Sequence, residues 1–436
     1  MLPFTIIITV IGIGILAAAH EIAHYLVAKA LSIKIYELSI FVGPKLFHWE
    51  RKGIEYNIRL IPFGAYVRFS DFDEQENQEE EDDPRKILNQ PRWKRLLVSL
   101  AGPFMNIVLG VVILTVLFSV TDFYTTIQTR IYPETQLEGT AAQAGDRIIS
   151  LNGMRVYTEY DLYAEMTMTG LDDTLNVGFR SKETGKKYNV LLVPEKQTAY
   201  RIGISWDPKV GDGSVWTIVE VDPRQNDGEP LIQIGDSILA INDTAVTDPG
   251  IQKAIDDSAG EVLAIRLNRN GTEMVVNVKP FTEDVYLPRG FDLKPGEGFF
   301  EATREAVVFP LAMFRLTVFS IRSAISGDIE PYNVVSGPVG MVTIVSDVVN
   351  EPNVETSVKT ESLVMIAAVI SIGLAFTNLL PLPGLDGSDM TMLIIETIRG
   401  KKVTKKTERV INIVGFVIII LLVSFALTSD IIRLLV

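Results

Sequence analysis

No cysteine occurs in the 436 residues. That absence removes a disulfide scaffold, an iron–sulfur protein, a zinc ribbon and a thiol nucleophile. Histidine is nearly missing as well: there are three, His20, His24 and His48. A surplus of basic charge is also lacking. The formal net charge of −14 argues against a nucleic-acid partner, which needs a basic face. What the chain has in excess is apolar. Hydrophobic residues make up 47 % and charged residues 22 %. The mean hydropathy of +0.25 is high for a soluble protein.

Four apolar stretches account for that excess. The first runs from Pro3 to about Leu31, the second over Leu96–Val120, the third over Leu363–Leu382 and the fourth over Val410–Leu427. Each approaches or exceeds the roughly 20 residues a bilayer requires. No base precedes the first stretch, and it is too long for a signal-peptide core, so it reads as a retained transmembrane helix. Arg92, Lys94 and Arg95 precede the second span. Arg399, Lys401, Lys402, Lys405, Lys406 and Arg409 fill the loop between the third and fourth. The positive-inside bias puts both clusters in the cytosol. Both termini and the central block then lie outside. That block, residues 121–361, holds 36 acids against 21 bases, a net of −15.

Residues 32–70 read as extended segments with turns at Gly43-Pro44 and Lys52-Gly53. They are apolar enough to lie against the membrane, provided their backbone is paired within the protein. Residues 71–93 follow as a linker that opens with nine acids in Asp71–Asp83, a solvated, mobile segment. The central block contains a repeat. Gly145-Asp146-x-Ile148-x-x-Leu151-Asn152 recurs ninety residues later as Gly235-Asp236-x-Ile238-x-x-Ile241-Asn242. Two modules fit, at 122–198 and 200–282. The pattern resembles the PDZ fold, a β-rich module that binds a peptide by adding it to a sheet edge. Neither copy shows a Gly-Leu-Gly-Phe-type carboxylate loop. Residues 283–361 read as an interfacial segment with amphipathic helix over 298–327. Ser336-Gly-Pro-Val-Gly340 then leads into an apolar segment too short to span.

The chemistry concentrates at His20-Glu21-Ile22-Ala23-His24. Residues i and i+4 share a helix face, so both imidazoles reach one metal ion, and the glutamate between them serves as general base. An ionisable residue at membrane depth costs at least about 2.5–3.5 kcal/mol, so three polar residues on one turn of a span point to a shared function. Catalytic zinc takes three protein ligands and keeps one position open. The third is sought at His48, beside Trp49 and Arg51, or at Asp386 in Asn378-Leu-Leu-Pro-Leu-Pro-Gly-Leu-Asp-Gly-Ser388. Pro381, Pro383, Gly384 and Gly387 break the third helix there. Broken backbone at that depth is tolerated only inside protein or along a wet cavity, which favours Asp386. A helix rise of about 1.5 Å per residue puts His20 roughly 25 Å below the outer surface, a depth the third helix also reaches near Asp386.

The chain resembles the bacterial site-2 proteases, intramembrane zinc metalloproteases of regulated intramembrane proteolysis. The resemblance rests on HExxH in the first helix and Asn-x-x-Pro-x-Pro-x-Leu-Asp-Gly in the third. Ala101-Gly102-Pro103 with Asn106, the Ser-Gly-Pro-Val-Gly segment and the paired PDZ-like modules add to it. It implies an α-helical polytopic membrane protein of four transmembrane helices (residues 1–31, 94–120, 362–398 and 410–428). A membrane-associated β-sheet and two β-rich extracytoplasmic PDZ-like domains complete that fold. It implies one zinc ion per chain on His20, His24 and Asp386, with Glu21 as general base. Asn378, Pro381, Pro383 and the strand around Gly64 and Tyr66 would hold an extended substrate. Ser388 and Ala65 stand where many members have glycine. Expected partners are the lipid bilayer, a single-span membrane protein or remnant signal peptide already cut outside the membrane, and peptide segments at the PDZ-like modules. The competing reading is a non-proteolytic scaffold or metal-binding pseudoenzyme.

Overall fold

α1 (Leu2–Ala30) carries the HExxH turn through an otherwise apolar helix. The chain then folds back in β1 (Glu37–Arg51) and β2 (Ile54–Arg68), antiparallel strands bent so that residues 37–40 lie between 55–58 and 65–68. This computed structural model describes residues 2–69, 83–207, 216–242, 244–245, 250–327, 329–330, 332, 337–351, 354–401, 403 and 405–435. Most of the acidic stretch expected at 71–83, together with Ser336 and Lys402, lies outside the described residues. The β1–β2 hairpin exposes Leu46, Phe47, Trp49, Leu60, Ile61 and Phe63. A run of large apolar side chains of that kind suits a bilayer surface better than water.

α2 (Arg92–Val120) packs beside α1 and beside α7 (Thr356–Asn378). The α2–α7 contact is close because Gly110 has no side chain. A Cβ there would lie 2.6 Å from Ile372 Cγ1. Ser371 Oγ donates to the Asn106 carbonyl at 2.8 Å in the same seam. Small residues and a hydroxyl bond across the interface are the usual way apolar helices associate where water supplies no drive. α7 ends at Asn378. The chain turns through residues 379–385 and restarts as α8 (Asp386–Arg399), tied to the start of α2 by Arg95 Nη1–Glu396 Oε2 at 3.0 Å. The third apolar run therefore finishes in a turn, as its prolines require. α9 (Lys405–Leu435) closes the chain.

Five helical segments among the described residues are long and apolar enough to cross a membrane: Thr9–Ala30, Arg92–Val120, Gly298–Ser326, Thr356–Asn378 and Ile413–Arg433. Four correspond to the expected spans. The fifth, α5 (Gly298–Ser326), was expected at the surface. Its Ala302, Ala306 and Phe309 pack on Leu114, Leu117 and Phe118 of α2.

Among the described residues the central block forms two six-stranded sheets with separate cores and one two-stranded sheet. The repeated motif explains itself in the geometry. Gly145 and Gly235 have φ of +94° and +92°, open to glycine. Asp146 and Asp236 accept from the backbone N–H three residues earlier, at Gln143 and Gln233. Ile148 with Leu151, and Ile238 with Ile241, fill the two cores. Asn152 and Asn242 are left-handed, and their Oδ1 atoms accept from Asn176 N and Ala264 N across the sheet. The first sheet runs β16 (Leu293–Pro295), β3 (Tyr124–Gln128), β4 (Arg147–Leu151), β6 (Leu175–Arg180), β7 (Lys187–Leu192). Residues read as interfacial thus supply strands. Leu293 is buried in the first core, and residues 281–286 pair with 196–201. The second module is inserted between strands of the first.

Candidate active site

α1 and α2 meet where α2 has no side chain. A Cβ on Gly102 would lie 2.4 Å from both His20 Nε2 and His24 Nε2, so glycine makes the cradle for the two imidazoles. His24 Nδ1–H donates to the Val98 carbonyl at 2.7 Å. His20 Nδ1 lies 3.2 Å from Asn106 Nδ2, while Asn106 Oδ1 is buried without a partner. A half-turn of that amide puts Oδ1 where it accepts from His20 Nδ1–H. Both rings then present an unprotonated Nε2 to the same point, the tautomer a metal requires.

The turn after α7 brings the third donor. Asp386 Oδ2 lies 3.1 Å from His20 Nε2, Asp386 Oδ1 lies 3.3 Å from His24 Nε2, and the two Nε2 atoms are 3.1 Å apart. Donors about 2.0–2.1 Å from a tetrahedral zinc lie about 3.3 Å from one another, so the triangle has the size of one zinc coordination face. Two nitrogens and one carboxylate fit the ion and leave a fourth position for water. The turn is held tightly: a Cβ on Gly387 would come 2.3 Å from the Leu379 and Leu380 carbonyls.

Glu21 is half-buried beside this triangle, and its Oε2 accepts from Val67 N–H of β2 at 3.0 Å. That bond shows that the β2 edge at Val67 faces α1 rather than β1. Close contact persists one turn or two earlier, where a Cβ on Gly14 would meet the Pro62 carbonyl at 2.3 Å. A cavity of about 170 Å³ opens on the site, lined by His20, Glu21, Asn106, Asn378, Gly384 and Asp386 among others. Of the residues expected to hold substrate, Asn378 therefore reaches the cavity. Gly64, at φ +70°, and Tyr66 lie on β2, three residues and one residue before the amide that Glu21 engages. Tyr66 Oη itself donates to Glu37 Oε1 at 2.8 Å. Pro381 is exposed, while Pro383 is buried against α9, where a Cβ on Gly415 would approach its Cδ to 1.9 Å. His48 lies away from this triangle, its Nδ1 2.9 Å from Asn57 Oδ1.

The β-sheet beside the site is stiffened by Glu37, which accepts from Asn57, Arg59 and Tyr66 and pairs with Arg68 at 3.4 Å. Burial alone would raise this carboxyl. The Tyr66 hydroxyl, the Arg59 guanidinium and the Asn57 amide outweigh it and hold it below the ordinary carboxylate range.

Three features escaped the sequence reading. Gly102 is recognisable only once its opposite neighbours are known. Asp430 of α9 is buried and accepts from the N–H groups of Gly337 and Gly340 at 2.9 Å each. Those amides begin α6 (Pro338–Asn350), so one membrane carboxylate caps a helix 90 residues away. The third is a cavity of about 440 Å³ in the second module, lined by Ile202, Gly203, Ile204, Ile255 and Phe281. Its signal was the apolar-Gly-apolar run at 202–204, with Gly203 at φ +65°.

Two imidazoles on one helical turn, a carboxylate closing the triangle and a glutamate beside it, all within a bundle of apolar helices, define a membrane metallopeptidase. The chain belongs to Peptidase family M50, the zinc-dependent site-2 proteases, whose model matches residues 8–422. It is 24 % identical over 460 residues to the Regulator of sigma E protease of Haemophilus influenzae, with 98 % of each chain covered. It is 25 % identical over 460 residues to Protease RseP of Yersinia pestis, again with 98 % of each covered. Among solved structures, the HtrA3 PDZ domain bound to a phage-derived ligand matches with 21 % identity and a TM-score of 0.18. That match covers 21 % of this chain and 92 % of the domain.

Proposed function

We propose that this intramembrane metallopeptidase cuts a peptide bond within or beside the transmembrane segment of a membrane-anchored protein, a single-span protein or remnant signal peptide. The observation that carries the reading is the Glu21–Val67 contact beside the His20–His24–Asp386 triangle. It joins the general base and the metal donors to the open edge of a β-strand. A transmembrane helix hides its carbonyls in its own hydrogen bonds, so a substrate must unwind, and an unwound segment needs a strand edge to satisfy its backbone. The β2 edge around Gly64–Val67 supplies that pairing, and Asn378 faces the same cavity.

His20, His24 and Asp386 would hold the zinc, which would supply Lewis acidity toward water and the scissile carbonyl. Glu21 takes the proton from water and returns it to the leaving amine. Val98 and Asn106 fix the imidazole tautomers, and the unwound turn at 379–385 keeps the site in reach of water.

Four spans fit this role, with α5 running along the first module rather than across the bilayer. Arg315 of α5 pairs with Asp161 Oδ1 in the module's own helix, α3 (Glu159–Met168), at 2.8 Å, and Tyr160 packs on Phe309. With Arg92, Lys94, Arg95 and the 399–409 bases in the cytosol, both termini and the PDZ-like modules are extracytoplasmic. The modules then exclude substrates with bulky outer domains until a first cut removes them.

The test uses the full chain co-expressed with a membrane-anchored substrate. Glu21→Gln is expected to retain zinc and to slow cleavage by about 10²–10⁴-fold. Asp386→Ala is expected to lower zinc content in the purified protein. Unchanged processing by the Glu21 variant would remove the protease reading, and equal zinc in the Asp386 variant would move the third ligand elsewhere.

A further inference from the structure

Five cationic side chains converge on one cleft between the first module and α5. Arg147, Arg155, Arg180 and Lys187 come from the module and Arg304 from α5, around a cavity of about 700 Å³. No aspartate or glutamate is among its lining residues. The block that contains it is strongly acidic, so this is a concentration of like charge against the local trend. Arg147 Nη1 is buried there without a hydrogen-bond partner. A buried donor left unmade costs about 1–3 kcal/mol, more for a charged group. The nearest carboxylates offset only part of this charge. Glu305 pairs with Arg304, and Glu301 pairs with Lys294 and accepts from Glu297 N–H. Among the described residues no carboxylate pairs with Arg147, Arg155, Arg180 or Lys187, which leaves four of the five cations to an anion.

The surroundings specify an amphiphile. Val308 of α5 forms an apolar wall of the cleft. Along the same helix Phe300, Val307, Leu311, Phe314 and Val318 are all at least half-exposed, at 87, 56, 53, 54 and 50 %. Their spacing of seven, four, three and four residues makes one continuous stripe, and Arg304 lies inside it. The cleft is also near the bilayer: Thr126, which lines it, follows the end of α2 at Val120 by six residues, at most about 20 Å of extended chain. A small free anion would use the cations and leave the stripe bare. An acidic peptide would do the same.

We propose that the cleft between the first module and α5 binds the phosphate headgroup of an anionic phospholipid, whose acyl chains lie along the exposed apolar stripe of α5. Arg147 and Arg180 hold the phosphate, Arg155 and Lys187 guard the rim, and Arg304 joins headgroup to stripe. The bound lipid would fix the distance between the modules and the membrane.

The experiment is native mass spectrometry of the full-length chain in detergent, titrated with phosphatidylglycerol or phosphatidylcholine. Parallel titrations use inorganic phosphate and a glutamate-rich peptide. The wild-type chain is expected to retain phosphatidylglycerol in preference to phosphatidylcholine. Retention should fall on the order of tenfold in Arg147→Gln/Arg180→Gln and in the rim variant Arg155→Gln/Lys187→Gln. The rim residues are exposed, so the second variant keeps its fold, and Arg155→Lys/Lys187→Arg should restore retention. Equal retention of the two lipids, or no loss in the rim variant, would overturn the proposal. So would charge-dependent binding of inorganic phosphate or peptide with no lipid preference, since either would reassign the cleft.

Discussion

At the scale of single residues, the site divides into what spacing reveals and what only contact reveals. His20 and His24 were legible as a candidate pair because four residues make one helical turn, and Glu21 as the candidate base from its place between them. Asp386 was legible because prolines broke an apolar run where a carboxylate followed. Gly102 was named only within the Ala101-Gly102-Pro103 motif, with no role of its own. A glycine is informative only through what stands where its Cβ would be, and here that is the Nε2 atoms of both imidazoles at 2.4 Å. One methyl group added at this position cannot be absorbed by flexible side-chain ends, since the rings are pinned by Val98 and Asn106. Gly102→Ala is therefore expected to keep the helix, where alanine is intrinsically better by about 1 kcal/mol, yet to lose zinc and cleavage together. Measurement of bound zinc beside circular dichroism decides it: a variant with wild-type zinc content would show that the cradle is looser than the contact distances state.

At the scale of elements, apolar runs found four of the five long helices and amphipathic spacing the fifth, but local pattern misjudged the strands that close the first module. Residues 283–295 read as interfacial because β15 (Phe281–Tyr286) and β16 (Leu293–Pro295) are short, and their partners lie far back in the chain, at 196–201 and 124–128. Pairing across such separations leaves no trace in local pattern. The α6–α9 junction has the same character. The Gly337–Gly340 segment read only as the lead into a short apolar stretch, and the cap of the helix that starts there is Asp430, held in turn by Arg433 at 2.9 Å. Since α6 also contacts α1 and α7, this cap fixes the last helix against the bundle that carries the candidate metal donors. Asp430→Ala leaves two main-chain donors unmade at about 1–3 kcal/mol each. The expected outcome is a lower unfolding temperature in detergent with zinc still bound, because no metal donor is touched. Hydrogen exchange should rise first at residues 337–351 and 425–435. Exchange rising uniformly over the chain would place the effect elsewhere.

At the scale of the whole molecule, acid acts on the second module and on the membrane sheet through a buried carboxyl in each. In the second module Asp236 accepts from Gln233 N–H at 2.8 Å and pairs with Arg269 at 2.7 Å, its side chain 2 % exposed. Burial alone would raise this carboxyl, but the Arg269 guanidinium and the Gln233 amide outweigh burial and hold it below the ordinary range. A carboxyl depressed in the folded state contributes its full stability above its unfolded pKa of about 3.9, and the contribution is lost as pH falls through the lower, folded value. Glu37 in the membrane sheet is depressed in the same direction, so the second module and the sheet weaken below about pH 4 while neutral pH leaves them whole. Asp236→Asn removes the charge in advance and is expected to cost about 2 kcal/mol at pH 7. Thermal unfolding of the full-length wild type and variant, followed from pH 7 down to about pH 3, should show a gap that is largest at neutral pH and narrows as the wild-type carboxyl takes up its proton. A gap that stays constant over that range would mean Asp236 acts by shape rather than by charge, and would leave the acid sensitivity of the second module to other groups.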